Sequence, residues 1–174
     1  GDSMGGLMNP RGLTLKPGPF AAFSTINPPS SATAGEAQRI PITLYDDLNE
    51  LLPASYFFNS NEIFRFHVAA TAIIDGYETF TTGEVFHNAT LPAHSSLTAI
   101  LSIDIAAIWS LSITEGQVVP QHLLGSPYQI EVVPASTVPA ACETEFPTAV
   151  TAGEEFKITI RSFDAYSNPT SHSV

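Results

Sequence analysis

The stretch Thr33-Ala34-Gly35-Glu36 decides the fold, because it returns as Thr151-Ala152-Gly153-Glu154, 118 positions further along the chain. Both copies continue with a basic residue, alternating isoleucines and an aromatic–aspartate pair: Arg39, Ile40, Ile42 and Tyr45-Asp46 against Lys157, Ile158, Ile160 and Phe163-Asp164. A repeat at a fixed offset indicates an array of similar units. Only 39 residues remain from Ser136 to the last residue, so the second copy is predicted to be incomplete.

Apolar and polar residues alternate with a period of two through most of the first copy. This alternation predicts strands over 38–45, 63–72, 96–105, 108–114 and 127–133, with a weaker region over 77–91. No helical pattern separates them. The strands predict an all-β chain, an antiparallel β-sandwich with one buried face per strand. A closed barrel fits the same alternation, but the repeat favours tandem sandwiches.

Charge and composition exclude several classes of partner. The net charge is −11, which repels the phosphate backbone of nucleic acids and anionic lipid surfaces. No apolar run reaches the ~18–20 residues of a membrane helix, so no membrane insertion is expected. Cys142 is the single cysteine, which rules out a disulfide within the chain. The first residues lack the pattern of a signal peptide, and the compartment is left open between the cell exterior or surface and the cytoskeleton.

The end of the first copy carries a recognisable motif. Gly125-Ser126-Pro127-Tyr128, preceded by a strand and a Gly-Gln turn, resembles the end of a filamin-type immunoglobulin-like repeat. The second opening, residues 152–169, resembles the second strand of that family and the turn after it. The resemblance implies tandem immunoglobulin-like sandwiches. Its implied organisation is a leader or the end of a preceding unit over 1–28, a repeat over 29–135 and an incomplete repeat over 136–174.

Two departures from the family pattern qualify this organisation. The turn at 46–49 is a worn version of the Asp-Ala-Tyr-Ser-Asn-Pro turn at 164–169. The 118-residue offset exceeds the ~100 residues of an ordinary immunoglobulin-like unit. We therefore expect an insertion in the first copy, between Ala54 and Leu97.

The resemblance also implies a groove in which partner peptides add as an extra strand. It places that groove along residues 64–72 and 79–88. Strand addition takes its affinity from main-chain hydrogen bonds and its specificity from alternate side chains. The predicted partner-binding edge therefore consists of Phe64, Phe66, Val68 and Ala70. The alternative is that these side chains belong to the core.

The sequence also offers candidate calcium and glycosylation sites, each of which has a simpler alternative explanation. The oxygen-bearing side chains of Asp46, Asp47, Asn49 and Asp164 are candidate calcium ligands, or else ordinary turn residues. Asn88 opens an Asn-Ala-Thr glycosylation triplet, which matters only in a secreted protein. The five histidines show no metal-binding spacing, and no nucleophile, phosphate-loop or dinucleotide motif occurs. We therefore expect no cofactor and no enzyme activity.

Two hypotheses of function remain after this reading. The first is a non-enzymatic structural or adhesive module whose protein partners are neighbouring repeats or copies of itself. The second is a carbohydrate- or calcium-binding accessory sandwich of a secreted protein, for which an exposed row of aromatic side chains would be the sign. The truncated second copy has three possible states: it is disordered, it docks on the first unit, or it pairs with another chain.

Overall fold

A computed structural model of the chain describes residues 19–52, 66–87, 96–116 and 119–171. In these ranges the protein is all-β, with one short 3-10 helix at Pro139–Ala141. The strands, in chain order, are β1 Thr25–Ile26, β2 Ser31–Thr33, β3 Ala37–Thr43, β4 Phe66–Ile74, β5 Tyr77–Thr82, β6 Glu84–His87, β7 Ser96–Ser102, β8 Ala107–Glu115, β9 Gln121–His122, β10 Tyr128–Val133, β11 Glu143–Glu145 and β12 Thr159–Arg161.

Two sheets form the sandwich of the first unit. One has the order β1-β3-β7-β6 and is antiparallel throughout. The other has the order β2-β10-β8-β4-β5, with β9 beside β8, and is antiparallel except where β2 runs parallel to β10. This strand order is that of an immunoglobulin-like sandwich whose second sheet has an additional strand at each edge, β2 and β5. The predicted all-β, immunoglobulin-like sandwich is therefore confirmed, and the tandem repeat stays a prediction.

The core lies between the two sheets and follows the alternation of the sequence. Strand β8 turns Trp109, Leu111 and Ile113 inward while the residues between them face outward. The opposite sheet supplies the inward side chains of β3 and β7, and the remaining strands complete a single buried cluster: Ile40, Ile42, Phe66, Val68, Ala70, Ala72, Leu97, Ala99, Leu101, Ile130 and Val132. Each large aliphatic side chain buried in this way contributes about 1.5–3 kcal/mol.

The chain changes sheets at Gly83, between β5 and β6. The Gly83 N–H donates to the Val68 carbonyl oxygen at 3.1 Å. A Cβ at this position would overlap the Ile100 carbonyl oxygen, so the backbones approach too closely for a side chain. The crossing places the two edge strands β5 and β6 on the same side of the sandwich.

The first sandwich begins before the predicted boundary at residues 28 and 29. Strand β1 pairs with β3 in the register Thr25↔Thr43, and Ala21 is buried in the core. The fully buried Ser24 Oγ accepts a hydrogen bond from the Tyr45 N–H at 3.2 Å. Residues 20–26 are therefore part of this unit and not a leader. The insertion expected between Ala54 and Leu97 falls partly outside the described residues.

The second copy repeats the backbone of the first at the same offset of 118. Strand β11 pairs with β12 in the register Glu143↔Arg161, which is that of β1 and β3 shifted by 118. The isolated bridge Tyr45↔Leu51 recurs as Phe163↔Pro169. The positive φ of Asn49, 61°, recurs as 67° at Ser167. The sequence echo thus corresponds to the same local geometry.

Burial, in contrast, is not repeated. Ile40 and Ile42 are fully buried, whereas their counterparts Ile158 and Ile160 are 44% and 65% exposed. The difference arises because β3 faces a second sheet, whereas among the described residues β11 and β12 form a two-stranded sheet of their own. The apolar face of this hairpin is therefore open to solvent.

Candidate functional site: the junction between the two copies

The turn at 164–168 is organised by a buried carboxylate. Asp164 has no exposed surface. Its Oδ1 accepts hydrogen bonds from the Tyr166 and Asn168 N–H groups, both at 2.8 Å. Its Oδ2 accepts from the Ala135 N–H at 2.9 Å and from the Asn168 Nδ2 at 2.8 Å. The carboxylate thus caps its own turn and also holds the connecting segment between the two copies.

Asn168 carries the contact from this turn to the first sandwich. Its Oδ1 accepts from the Ala106 N–H at 2.8 Å, and its Nδ2 donates to the Asp104 carbonyl oxygen at 2.7 Å. These backbone groups lie in the turn between β7 and β8. An amide side chain is suited to this position because it presents one acceptor and two donors. The second copy therefore docks on the first, which is one of the three states considered above.

The surface that receives this turn is held together by two further hydrogen bonds. The Trp109 Nε1 donates to the Ile105 carbonyl oxygen at 3.0 Å, which fixes the β7–β8 turn to the core. The Gly35 N–H donates to the Ile103 carbonyl oxygen at 2.9 Å, which joins the β2–β3 turn to it. Tyr166 lies over Gly35, whose φ is +76°, and a Cβ there would overlap the tyrosine ring. The glycine thus serves both the turn and the close approach.

The environment of Asp164 lowers its pKa. Burial by itself would raise the pKa of the carboxyl group, but hydrogen bonds from the side chain and backbone of Asn168, and from the Ala135 and Tyr166 N–H groups, outweigh it. The charged form is therefore favoured in the docked state. The hydrogen bonds described for this carboxylate all come from N–H donors, as expected for a capping role.

This pKa predicts that docking is sensitive to acid. A carboxyl group whose pKa is lower in the folded state stabilises that state above its unfolded pKa, and the stabilisation is lost as pH falls through the folded pKa. We expect the stability of the junction to begin to fall below about pH 4, the ordinary pKa of an aspartate, and to be lost at lower pH as the Asp164 carboxylate is protonated. The chemical shifts of the Ala135 and Ala106 amide protons, followed by NMR, should titrate together. A docking equilibrium that does not weaken at all as pH falls below about 4 would contradict the role given to Asp164.

The other calcium candidates lie in the matching turn of the first copy. The Asp46 Oδ1 accepts from the Leu48 and Glu50 N–H groups, as Asp164 does 118 residues later. Asp47 and Asn49 are exposed. Among the residues that the structure describes, no three His, Cys, Asp or Glu side chains gather as a metal site would require. Calcium binding by these four residues stays a prediction.

The structure corrects the position of the predicted partner-binding edge. Phe66, Val68 and Ala70 are buried in the core, and β4 is paired with β8 on one side and with β5 on the other. Their side chains therefore cannot receive a partner in the folded chain. Within the described residues, the sheet edges on this side of the sandwich are β5 and β6, at 77–87. Phe64 and the glycosylation candidate Asn88 lie outside the described residues.

The exposed aromatic side chains of β5 and β6 do not form a row. Tyr77 and Phe80 are 77% and 74% exposed, but they are three residues apart on β5 and so point to opposite faces of the sheet. Phe86 is on β6, in the other sheet. These three side chains therefore do not form the flat platform that a sugar-binding site would use.

Sequence reasoning missed the two halves of the junction. Asn168 entered only as part of the turn at 164–169, and nothing in the sequence connected it with the backbone at 104–106. The contacts join residues 62 and 64 positions apart, which no local pattern encodes. Gly35 did carry a signal, since its recurrence as Gly153 pointed to a required backbone conformation in both copies.

The strand order and register define the class of the protein as an immunoglobulin-like β-sandwich. No family model matches the chain, and no curated protein matches its sequence. Among solved structures, the crystal structure of the Lin-41 filamin domain is similar, with 19% identity over 67% of this chain and 97% of that chain and a TM-score of 0.46. Membership of the filamin family stays a prediction from sequence. No described helix has the length and apolar character to span a bilayer.

Proposed function

We propose that the chain is a non-enzymatic module of a repeat array whose work is protein–protein contact. The junction is the observation that carries this proposal. A turn of one unit is fixed on the backbone of the previous unit by Asn168, and Asp164 fixes the connecting segment at Ala135. Such contacts set the relative orientation of neighbours, which is what an array of units in nearest-neighbour contact requires.

The repeated geometry supports the array. The capping bonds, the positive φ values and the hairpin register recur at 118 residues, so the second copy enters the same backbone path as the first. The apolar face of the second copy is exposed. The equivalent face of the first copy is covered by a second sheet, and without that sheet it would be exposed in the same way. A complete second unit would bury Ile158 and Ile160, as the first buries Ile40 and Ile42.

A second contact is proposed at the side where β5 and β6 lie. Both strands are sheet edges in the described structure, and Gly83 brings them together. An edge strand presents unpaired backbone groups to which a partner strand can add. The binding edge is therefore proposed at residues 77–87, which overlap the second part of the groove implied by the resemblance, 79–88, and lie beside the strand of Phe66, Val68 and Ala70.

Measurement of ¹⁵N relaxation tests the proposed array. If the junction fixes the orientation of the two copies, the amides of β12 and of 164–170 should tumble with the same correlation time as those of β3 and β8. Amides of β12 that reorient independently, on the nanosecond timescale of loops, would contradict a fixed junction. The chain itself, without a partner, is sufficient for this experiment.

A further inference from the structure

An apolar cluster is exposed on the outer face of the six-stranded sheet. Ile73, Phe80 and Ile108 are 78%, 74% and 64% exposed. Ile73 and Ile108 point outward, because their neighbours along β4 and β8, Ala72 and Trp109, are buried. Phe80 points the same way, because it pairs with Thr71, an outward position of β4. Large apolar side chains scattered singly on a surface need no explanation, but a contiguous group indicates an interaction site.

The strand register places the three side chains together. Thr71 of β4 pairs with Phe80 on one side and with Ser110 on the other. Ile73 and Ile108 occupy the next outward positions along these same strands, two residues from Thr71 and Ser110 respectively. The small side chains of Thr71 and Ser110 are therefore the neighbours of Ile73, Phe80 and Ile108 on this face. They leave the three large apolar side chains accessible to a partner.

Acidic residues border this cluster on two sides. Glu78 pairs with Ile73 across β4 and β5, and Glu131 pairs with Ile108 across β8 and β10. Both glutamates are exposed. The described strands of this sheet contain no lysine or arginine. The cluster is thus an apolar centre with a negative rim, within a chain whose net charge is −11.

We propose that this surface binds a partner protein through a segment that presents apolar side chains flanked by lysine or arginine. The apolar centre supplies burial, and the negative rim selects a basic partner and repels acidic ones. A second copy of this chain would bring glutamates against glutamates, and nucleic acid or anionic lipid would be repelled in the same way. This inference rests on the proposed function in one respect, which is that the partner is taken to be a protein.

A titration with a short peptide of alternating leucine and lysine tests the proposal. We expect shifts of the Ile73 and Ile108 methyl signals in the NMR spectrum of the full chain. The double variant Ile73→Thr/Ile108→Thr keeps the β-branched shape and should weaken binding by at least about tenfold. Glu78→Gln/Glu131→Gln should weaken binding and reduce its dependence on salt. The matched control is Ile160→Thr, which changes an exposed isoleucine of β12 in the second copy. This variant should bind the peptide normally.

Several results would overturn the proposal. One is equal affinity of the wild type and both double variants, and another is equal binding of a leucine–glutamate peptide. Protection of β5 amides from hydrogen exchange without methyl shifts would assign the peptide to strand addition at the edge. Methyl shifts that depend on protein concentration alone would assign the surface to a second copy. None of these results affects the junction, which is tested separately by the relaxation measurement above.

Discussion

Replacement of Ile42 by alanine is expected to lower the free energy of unfolding of the first sandwich by about 2–5 kcal/mol, because it leaves a cavity in a close-packed core. The same substitution 118 residues later, Ile160→Ala, is expected to cost less than about 0.5 kcal/mol, since that side chain is 65% exposed. Chemical denaturation followed by the fluorescence of the buried Trp109 measures both changes.

The comparison is informative because the two isoleucines occupy the same position of the same hairpin register. Their intrinsic strand preferences are equal, so the difference reports only the presence or absence of a facing sheet. Similar costs for the two substitutions would show that the face of the second hairpin is buried in solution. A small cost for Ile42→Ala would contradict the core described for the first unit.

Replacement of Asn168 by aspartate is expected to destabilise the junction by at least about 3 kcal/mol, because it buries an unpaired charge next to the Asp164 carboxylate. The change keeps the size of the side chain but removes both donors, to the Asp104 carbonyl oxygen and to Asp164. The second copy should undock. Proteolysis within 136–171 should then accelerate, and the Ala106 amide should lose its hydrogen-bonded chemical shift.

Glu50→Gln is the matched control for this substitution. Glu50 lies 118 residues before Asn168, in the equivalent turn, and its side chain is exposed. The swap between carboxylate and amide at this position should change stability by less than about 0.5 kcal/mol. If Asn168→Asp leaves proteolysis and the Ala106 signal unchanged, the junction is not the contact that holds the second copy.

The sequence predicts much of the sandwich because its strands alternate strictly. The inward sets of β3, β7 and β8 follow directly from period two, and Ile40, Leu101 and Leu111 are buried as the pattern requires. Ile105 extends the alternation of β7 but is 37% exposed, because β7 ends at Ser102 and the chain turns there toward β8. Alternation identifies the inner face of a strand but does not fix where the strand ends.

The parts that could not be predicted depend on which strands become neighbours. Alternation shows that Phe66 and Val68 face the same way, but it does not show that β5 pairs with β4. The predicted partner-binding edge was therefore placed on β4, which is one strand inside the edge of the sheet. The start of the sandwich was missed because residues 20–26 share only Ala22 with their counterparts at 138–144. Their common geometry is a matter of backbone hydrogen bonds: Phe20 N–H to Tyr45 O at 2.8 Å and Val138 N–H to Phe163 O at 2.9 Å.

The parallel pairing of β2 with β10 has a mechanical consequence. Strand β2 lies near the start of the first sandwich along the chain, and β10 is its last strand. They pair in the register Glu131↔Ser31 to Val133↔Thr33. When two parallel strands are pulled in opposite directions, one by its leading end and the other by its trailing end, their cross-links are loaded in shear. The rungs of this ladder then share the tension and do not unzip one after another. The β2–β10 pairing is therefore the part of this sandwich best suited to resist tension applied between its two strands.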